Sequence, residues 1–196
     1  MEQPGLGVKS TIRLDEIDWG GVFNDKLIRK DKTFRRKQDD RDFLVRFPLG
    51  IQSGNFRVPR GLIQGQRLTQ TLRLETLAVA SIGDFDELPT PFRAIAADLE
   101  TGERVVLESG DLTSAMRASM SAPGVFAPVE IDGRLLVDGG LVENLPVDVA
   151  KAMGVDIVIV VDVGFQPVGR KDLTSALAIS NQAITLMMRR ETVLQR

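Results

Sequence analysis

RLLVDGGLVENLP, residues 134–146, runs an apolar strand into a single carboxylate, Asp138, and then turns on two glycines, Gly139 and Gly140. A lone acid on a glycine turn has the placement of a catalytic group, because glycine lets backbone or ligand approach closely. The chain of 196 residues contains no histidine and no cysteine. The usual imidazole shuttle and the thiol nucleophile are therefore excluded, as are disulfides and thiolate or imidazole metal sites. Hydrolytic chemistry in these residues has to rest on Asp138 without an imidazole.

Working outward, residues 129–137 predict a hairpin, with Asp132-Gly133 in the turn position that favours positive φ. Pro146 suits a first helical turn and Gly154 a helix end, with Val147, Val149, Ala150 and Met153 between them. A run of branched apolar residues follows at 157–161 and reads as a buried strand. Strand, glycine turn, helix and strand form the order of a parallel crossover. Asp138 then stands at the carboxyl end of a strand, where ligands bind in open α/β sheets. Asp162 ends the last strand and is the rival candidate, but no glycine pair opens its surroundings.

Upstream, residues 92–97 and 104–107 predict a second hairpin around the turn at 100–103. Asp98 lies just past its first strand and reads as a carboxylate serving turn backbone rather than chemistry. Asp111 or Thr113 caps a helix carrying Leu112, Ala115, Met116 and Ser119, which ends before Pro123. Another helix starts near Gly61, with Leu62, Leu68 and Leu72 on one face, while residues 47–59 are broken by proline and glycine into irregular or extended chain. Residues 11–23 predict a short helix and a packed loop with Trp19 as a core anchor. The last segment, from residue 173, reads as a covering helix with Leu173, Leu177, Ile184 and Met187 on its packing stripe.

Composition, at 43% hydrophobic and 27% charged, is that of one globular domain, residues 1–196, large enough to bury a core. The formal net charge is −2, yet residues 26–46 hold nine basic and four acidic side chains. That run reads as a solvated face, since Asp31, Asp39, Asp40 and Asp42 interrupt it and only Phe34 and Phe43 could stack on bases. If it meets a partner, an anionic membrane surface fits better than nucleic acid. No stretch approaches the roughly 18–20 apolar residues of a membrane span, and the first nine residues carry no export signal. The compartment is not readable from these features.

The run at residues 119–164, SMSAPGVFAPVEIDGRLLVDGGLVENLPVDVAKAMGVDIVIVVDVG, resembles the carboxyl-terminal half of the patatin-like phospholipases, especially their bacterial branch. Ser119, Pro123, Phe126, Pro128, Asp138-Gly139-Gly140, Asn144 and Pro146 carry the resemblance in one order and spacing. Weaker similarity extends through FRAIAADLETG at 92–102, the helix near Gly61, and Asp18-Trp19 with Phe23. The resemblance implies a partial three-layer α/β/α fold with a mainly parallel central sheet, lipid carboxylic esters as substrates, and no metal or organic cofactor. It also implies a serine and aspartate dyad in which Asp138 is the proton acceptor. Gly139 and Gly140 would permit close approach around that acid, and Asn144 would bond the loop or cap the next helix.

The family's glycine-rich oxyanion loop and Gly-x-Ser-x-Gly elbow have no counterpart in the sequence. Ser10 and Ser53 each stand one residue too far from the preceding glycine, and Ser119 and Ser121 lack flanking glycines. The expectation is an amino-terminally truncated domain, inactive alone, whose unpaired sheet edge invites self-association. A non-catalytic lipid or membrane-binding module is the alternative. A nucleotide-binding α/β protein is a weaker third, since no Gly-x-Gly-x-x-Gly or phosphate-loop pattern occurs.

Overall fold

Asp132 and Gly133 both take positive φ, 51° and 75°, and fold the chain back between β5 (Val129–Ile131) and β6 (Arg134–Asp138). This is the hairpin predicted from the Asp-Gly pair, whose left-handed backbone matches the twist of the flanking strands. The computed structural model describes residues 17–23, 50–52, 55–57, 63–164 and 166–194. The basic run at 26–46, together with Ser10, Ser53, Gly61 and Leu62, lies outside them.

The described elements begin with the one-turn helix α1 (Trp19–Val22), the antiparallel pair β1 (Gly50–Gln52) and β2 (Asn55–Arg57), and helix α2 (Gln66–Glu75). Strands β3 (Ala94–Asp98) and β4 (Arg104–Leu107), then helix α3 (Leu112–Ser119), precede the β5–β6 hairpin. Helix α4 (Val147–Ala152) and the long helix α5 (Ala176–Leu194) complete the order.

The main sheet has the order β4-β3-β6-β5, and every pairing in it is antiparallel. The α/β class stands, but the mainly parallel sheet does not. Residues 157–161 form no strand and are open to solvent, with Ile157 80%, Ile159 85% and Val161 72% exposed. A two-sided apolar strand is stable only when neighbours pair its amides and cover both faces. Among the described residues no strand does so, and the crossover predicted after α4 is not closed.

Small residues set the depth of the core. Ala94 and Ala96 of β3, Ala115 and Ala118 of α3, and Leu136 of β6 are buried in one cluster with Phe85, Leu88 and Leu107. With only methyl groups between them, α3 lies close against the sheet. Phe85 fills the remaining space, fully buried and packed against Phe92 at 6.1 Å. Asp111 caps α3 by accepting the Ser114 amide at 2.6 Å, as its sequence position predicts.

A second cluster joins Val22, Leu68, Leu72 and Phe126. It is pinned by the Ile63 amide on the Val125 carbonyl at 2.9 Å and the Ala127 amide on the Ile63 carbonyl at 3.0 Å. Trp19 is not the core anchor that its size suggests. It is 36% exposed and stacks on Phe23, while Val22 takes the buried position of that turn.

Candidate active site

Asp138 closes β6 opposite Ala96 of β3, and its carboxyl then folds over the turn that follows. Oδ1 accepts the Gly140 amide at 2.9 Å, capping a turn of 3-10 helix at Gly139–Leu141. The two glycines have separate causes. A Cβ on Gly139 would run into the main-chain carbonyl of Ile95, whereas one on Gly140 would meet Met188 of α5 and the side chains of Asn144 and Asp138. The first contact is with backbone, which cannot rotate away.

The carboxyl lines a cavity of about 340 Å³ whose walls include Asn144, Asp162, Thr185, Met188, Arg189 and Thr192. Burial pushes the Asp138 carboxyl above the ordinary carboxylate range, and the Gly140 amide opposes that shift only in part. An acid so placed holds its proton more tightly and is a stronger base once ionised. Asp162 reaches the same cavity, but it is exposed and its Oδ1 is committed to the Gly164 amide at 2.9 Å. Of the two sequence candidates, only Asp138 combines a cavity position with desolvation.

Asn144 does not cap α4, whose N-terminus at Pro146 has no side-chain cap bond. Its Nδ2 donates to Thr192 Oγ1 at 3.1 Å, and Thr192 donates in turn to the Met188 carbonyl at 2.9 Å. The loop after Asp138 is thereby tied to α5. Glu143 pairs with Arg104, and Arg104 also reaches Asp148 at 2.8 Å. These partners hold the Arg104 guanidinium more firmly protonated, the Glu143 bond first among them.

Ser121 is fully buried and bonded through Oγ to Arg117, and Ser119 ends α3, so neither presents a hydroxyl to the Asp138 cavity wall. Asp98 serves its turn as expected, Oδ1 accepting the Glu100 amide at 2.9 Å. Among the described residues no group of three His, Cys, Asp or Glu is arranged to hold a metal ion, and no helix is long and apolar enough to cross a membrane.

Sequence reasoning missed the α5 wall. Thr185, Met188 or Arg189, and Thr192 recur at helical spacing and were legible as a stripe, but a polar one. The expected apolar stripe directs attention to Met187, which is exposed, while Met188 is the methionine that reaches Gly140.

Comparison with known proteins places the chain in a family. The family model for patatin-like phospholipases matches residues 21–151. An uncharacterized NTE family protein of Mycobacterium bovis is 36% identical over 109 residues, 56% of this chain and 29% of that protein. A second such protein, from Mycobacterium tuberculosis, is 39% identical over 84 residues, 42% of this chain and 14% of its own length. Patatin-like phospholipase domain-containing protein 7 of Mus musculus is 43% identical over 81 residues, 40% of this chain and 6% of that protein. The matched stretch is therefore a minor part of each relative's length. With the family model covering well over half of its residues, the chain belongs to the patatin-like phospholipase family.

Proposed function

We propose that the chain carries the acid half of a lipid acyl hydrolase of phospholipase A type, with Asp138 as the base of a serine and aspartate dyad. The observation that carries this reading is the desolvated Asp138 carboxyl facing a cavity from a two-glycine turn. Family membership supports a lipid ester as substrate.

In this reading a serine Oγ attacks the ester carbonyl while Asp138 accepts its proton. The tetrahedral intermediate expels the alcohol, which takes up that proton, and leaves an acyl-enzyme. Asp138 then takes a proton from the water that attacks the acyl-enzyme and returns it to the serine Oγ as the fatty acid leaves. Raising the carboxyl above its ordinary range brings it nearer to neutrality, where a base works best. In this reading the partner serine stands in a Gly-x-Ser-x-Gly turn, a pattern that none of the 196 residues forms.

A fluorogenic lipid ester tests the proposal. The 196-residue chain alone should leave it intact, and joining an upstream segment that carries the oxyanion loop and elbow should create hydrolysis. Asp138→Asn should then remove about 10²–10⁴ of that rate. Full activity in Asp138→Asn would remove this acid from the mechanism, and vigorous hydrolysis by the chain alone would place the nucleophile within it.

A further inference from the structure

β5 pairs with β6 only as far as Leu136, opposite Val129, two residues short of Asp138. Beyond that point β6 has lost its neighbour on one side. The Asp138 amide finds a substitute in the main-chain carbonyl of Ser121, at 3.0 Å. A buried amide left unmet there is destabilising, so the acid's backbone depends on where Ser121 is held.

Ser121 is fully buried, and its hydroxyl is claimed at both ends by one residue. Arg117 donates from Nη1 to Ser121 Oγ, and Ser121 Oγ donates back to the Arg117 carbonyl at 2.6 Å. Arg117 is itself only 3% exposed. A guanidinium buried that deeply is costly unless its donors are met. Nη2 reaches the carbonyls of Gln64 at 3.3 Å and Ala127 at 3.4 Å, and the plane lies 4.7 Å from the centre of the Phe126 ring. Gly65, at φ 74°, leaves the space that the guanidinium occupies, since a Cβ there would collide with it.

We infer that Arg117 is a positioning residue for Asp138, fixing from within the core the Ser121 carbonyl that receives the Asp138 amide. The inference rests on the reading of Asp138 as the working acid. Arg117 acts through geometry: desolvation and the Gly140 amide are what set the direction of the Asp138 shift. One buried cation thereby joins the start of α2, the end of α3, the loop before β5 and the last residue of β6.

The test uses the isotope-labelled 196-residue chain and reads two signals at Asp138, amide hydrogen exchange and the carboxyl carbon resonance. Arg117→Met keeps the apolar stem and removes the donors. It should speed exchange at Asp138 by about tenfold more than at the β3–β4 amides and move the carboxyl resonance, the size expected for one lost hydrogen bond. Arg117→Lys, able to reach one acceptor, should restore part of both signals. An unchanged Asp138 in folded Arg117→Met, or a uniform acceleration of every slow amide, overturns the inference.

Should Arg117→Met not fold, Ser121→Ala decides. It keeps the carbonyl and cuts only the side-chain link, so selective acceleration at Asp138 sustains the inference and none overturns it. Hydrolysis is not read in either variant, so failure of the catalytic assignment and failure of the positioning role are separable.

Discussion

Gly139 lies so close to Ile95 that any side chain at position 139 would enter the Ile95 main-chain carbonyl. The turn carrying the acid is therefore seated directly on β3. This is a close approach of the turn to the backbone of the neighbouring strand, and it has a measurable consequence. Gly139→Ala should destabilise the chain by about 1–3 kcal/mol, the usual cost of overpacking, and should displace the Asp138 turn. Denaturant unfolding gives the first quantity, and loss of the Gly140 amide's protection from exchange gives the second.

The raised Asp138 carboxyl makes stability depend on pH with a defined sign. Its folded-state pKa lies above the value of 3.8 for the free group, so in the window between the two the folded chain binds more protons than the unfolded one. Stability should then fall as pH rises through that window and level off above it. Asp138→Asn removes this dependence and should melt higher than the parent near neutrality, with the advantage gone at low pH. Melting curves of both proteins from about pH 3 to 8 would show it. A parent advantage at neutral pH would contradict desolvation as the dominant cause.

Arg104 holds β4 to the loop after the acid through Glu143 and Asp148. Glu143 is well covered, while the Arg104 side chain is 37% and that of Asp148 60% exposed, so the pair is partly screened. Glu143→Gln should cost about 1 kcal/mol in low salt and less in high salt. Urea titrations at two ionic strengths measure the difference.

The exposed run around Ile159 should make the chain self-associate. Apolar, β-branched and unpaired among the described residues, it presents open backbone amides to any second strand. Ile159→Lys combined with Val161→Lys should shift the chain toward monomer in light scattering without lowering its melting temperature, because both side chains are already in solvent. An unchanged mass distribution would mean that association, if present, uses another surface.

Local chemistry was legible where a residue's own backbone decides the outcome. Asp132-Gly133 fixed a hairpin and Asp111 a helix start, and both act within four residues. The tight turn after Asp138 was legible because glycines betray close contact, although that the contact is Ile95 below and Met188 above is a matter of tertiary position. Residues 157–161 failed for the opposite reason: their strand character is a property of neighbours, and branched apolar side chains cannot supply a ladder. Arg117 and Thr192 were hidden for a related cause. Each is polar, so sequence reasoning assigns it to solvent, yet one is buried among carbonyls and the other bridges Asn144 to α5.

The division of the cavity between two parts of the fold sets how it can change. Asp138 is fixed by the sheet, from Ala96 beside it and Ile95 beneath its turn, whereas Thr185, Met188, Arg189 and Thr192 belong to the last helix. Substitutions at Thr185 or Met188 can reshape the chamber without entering the strands that hold the acid. The acid and the chamber wall facing it are thus encoded in segments almost fifty residues apart, free to vary at different rates.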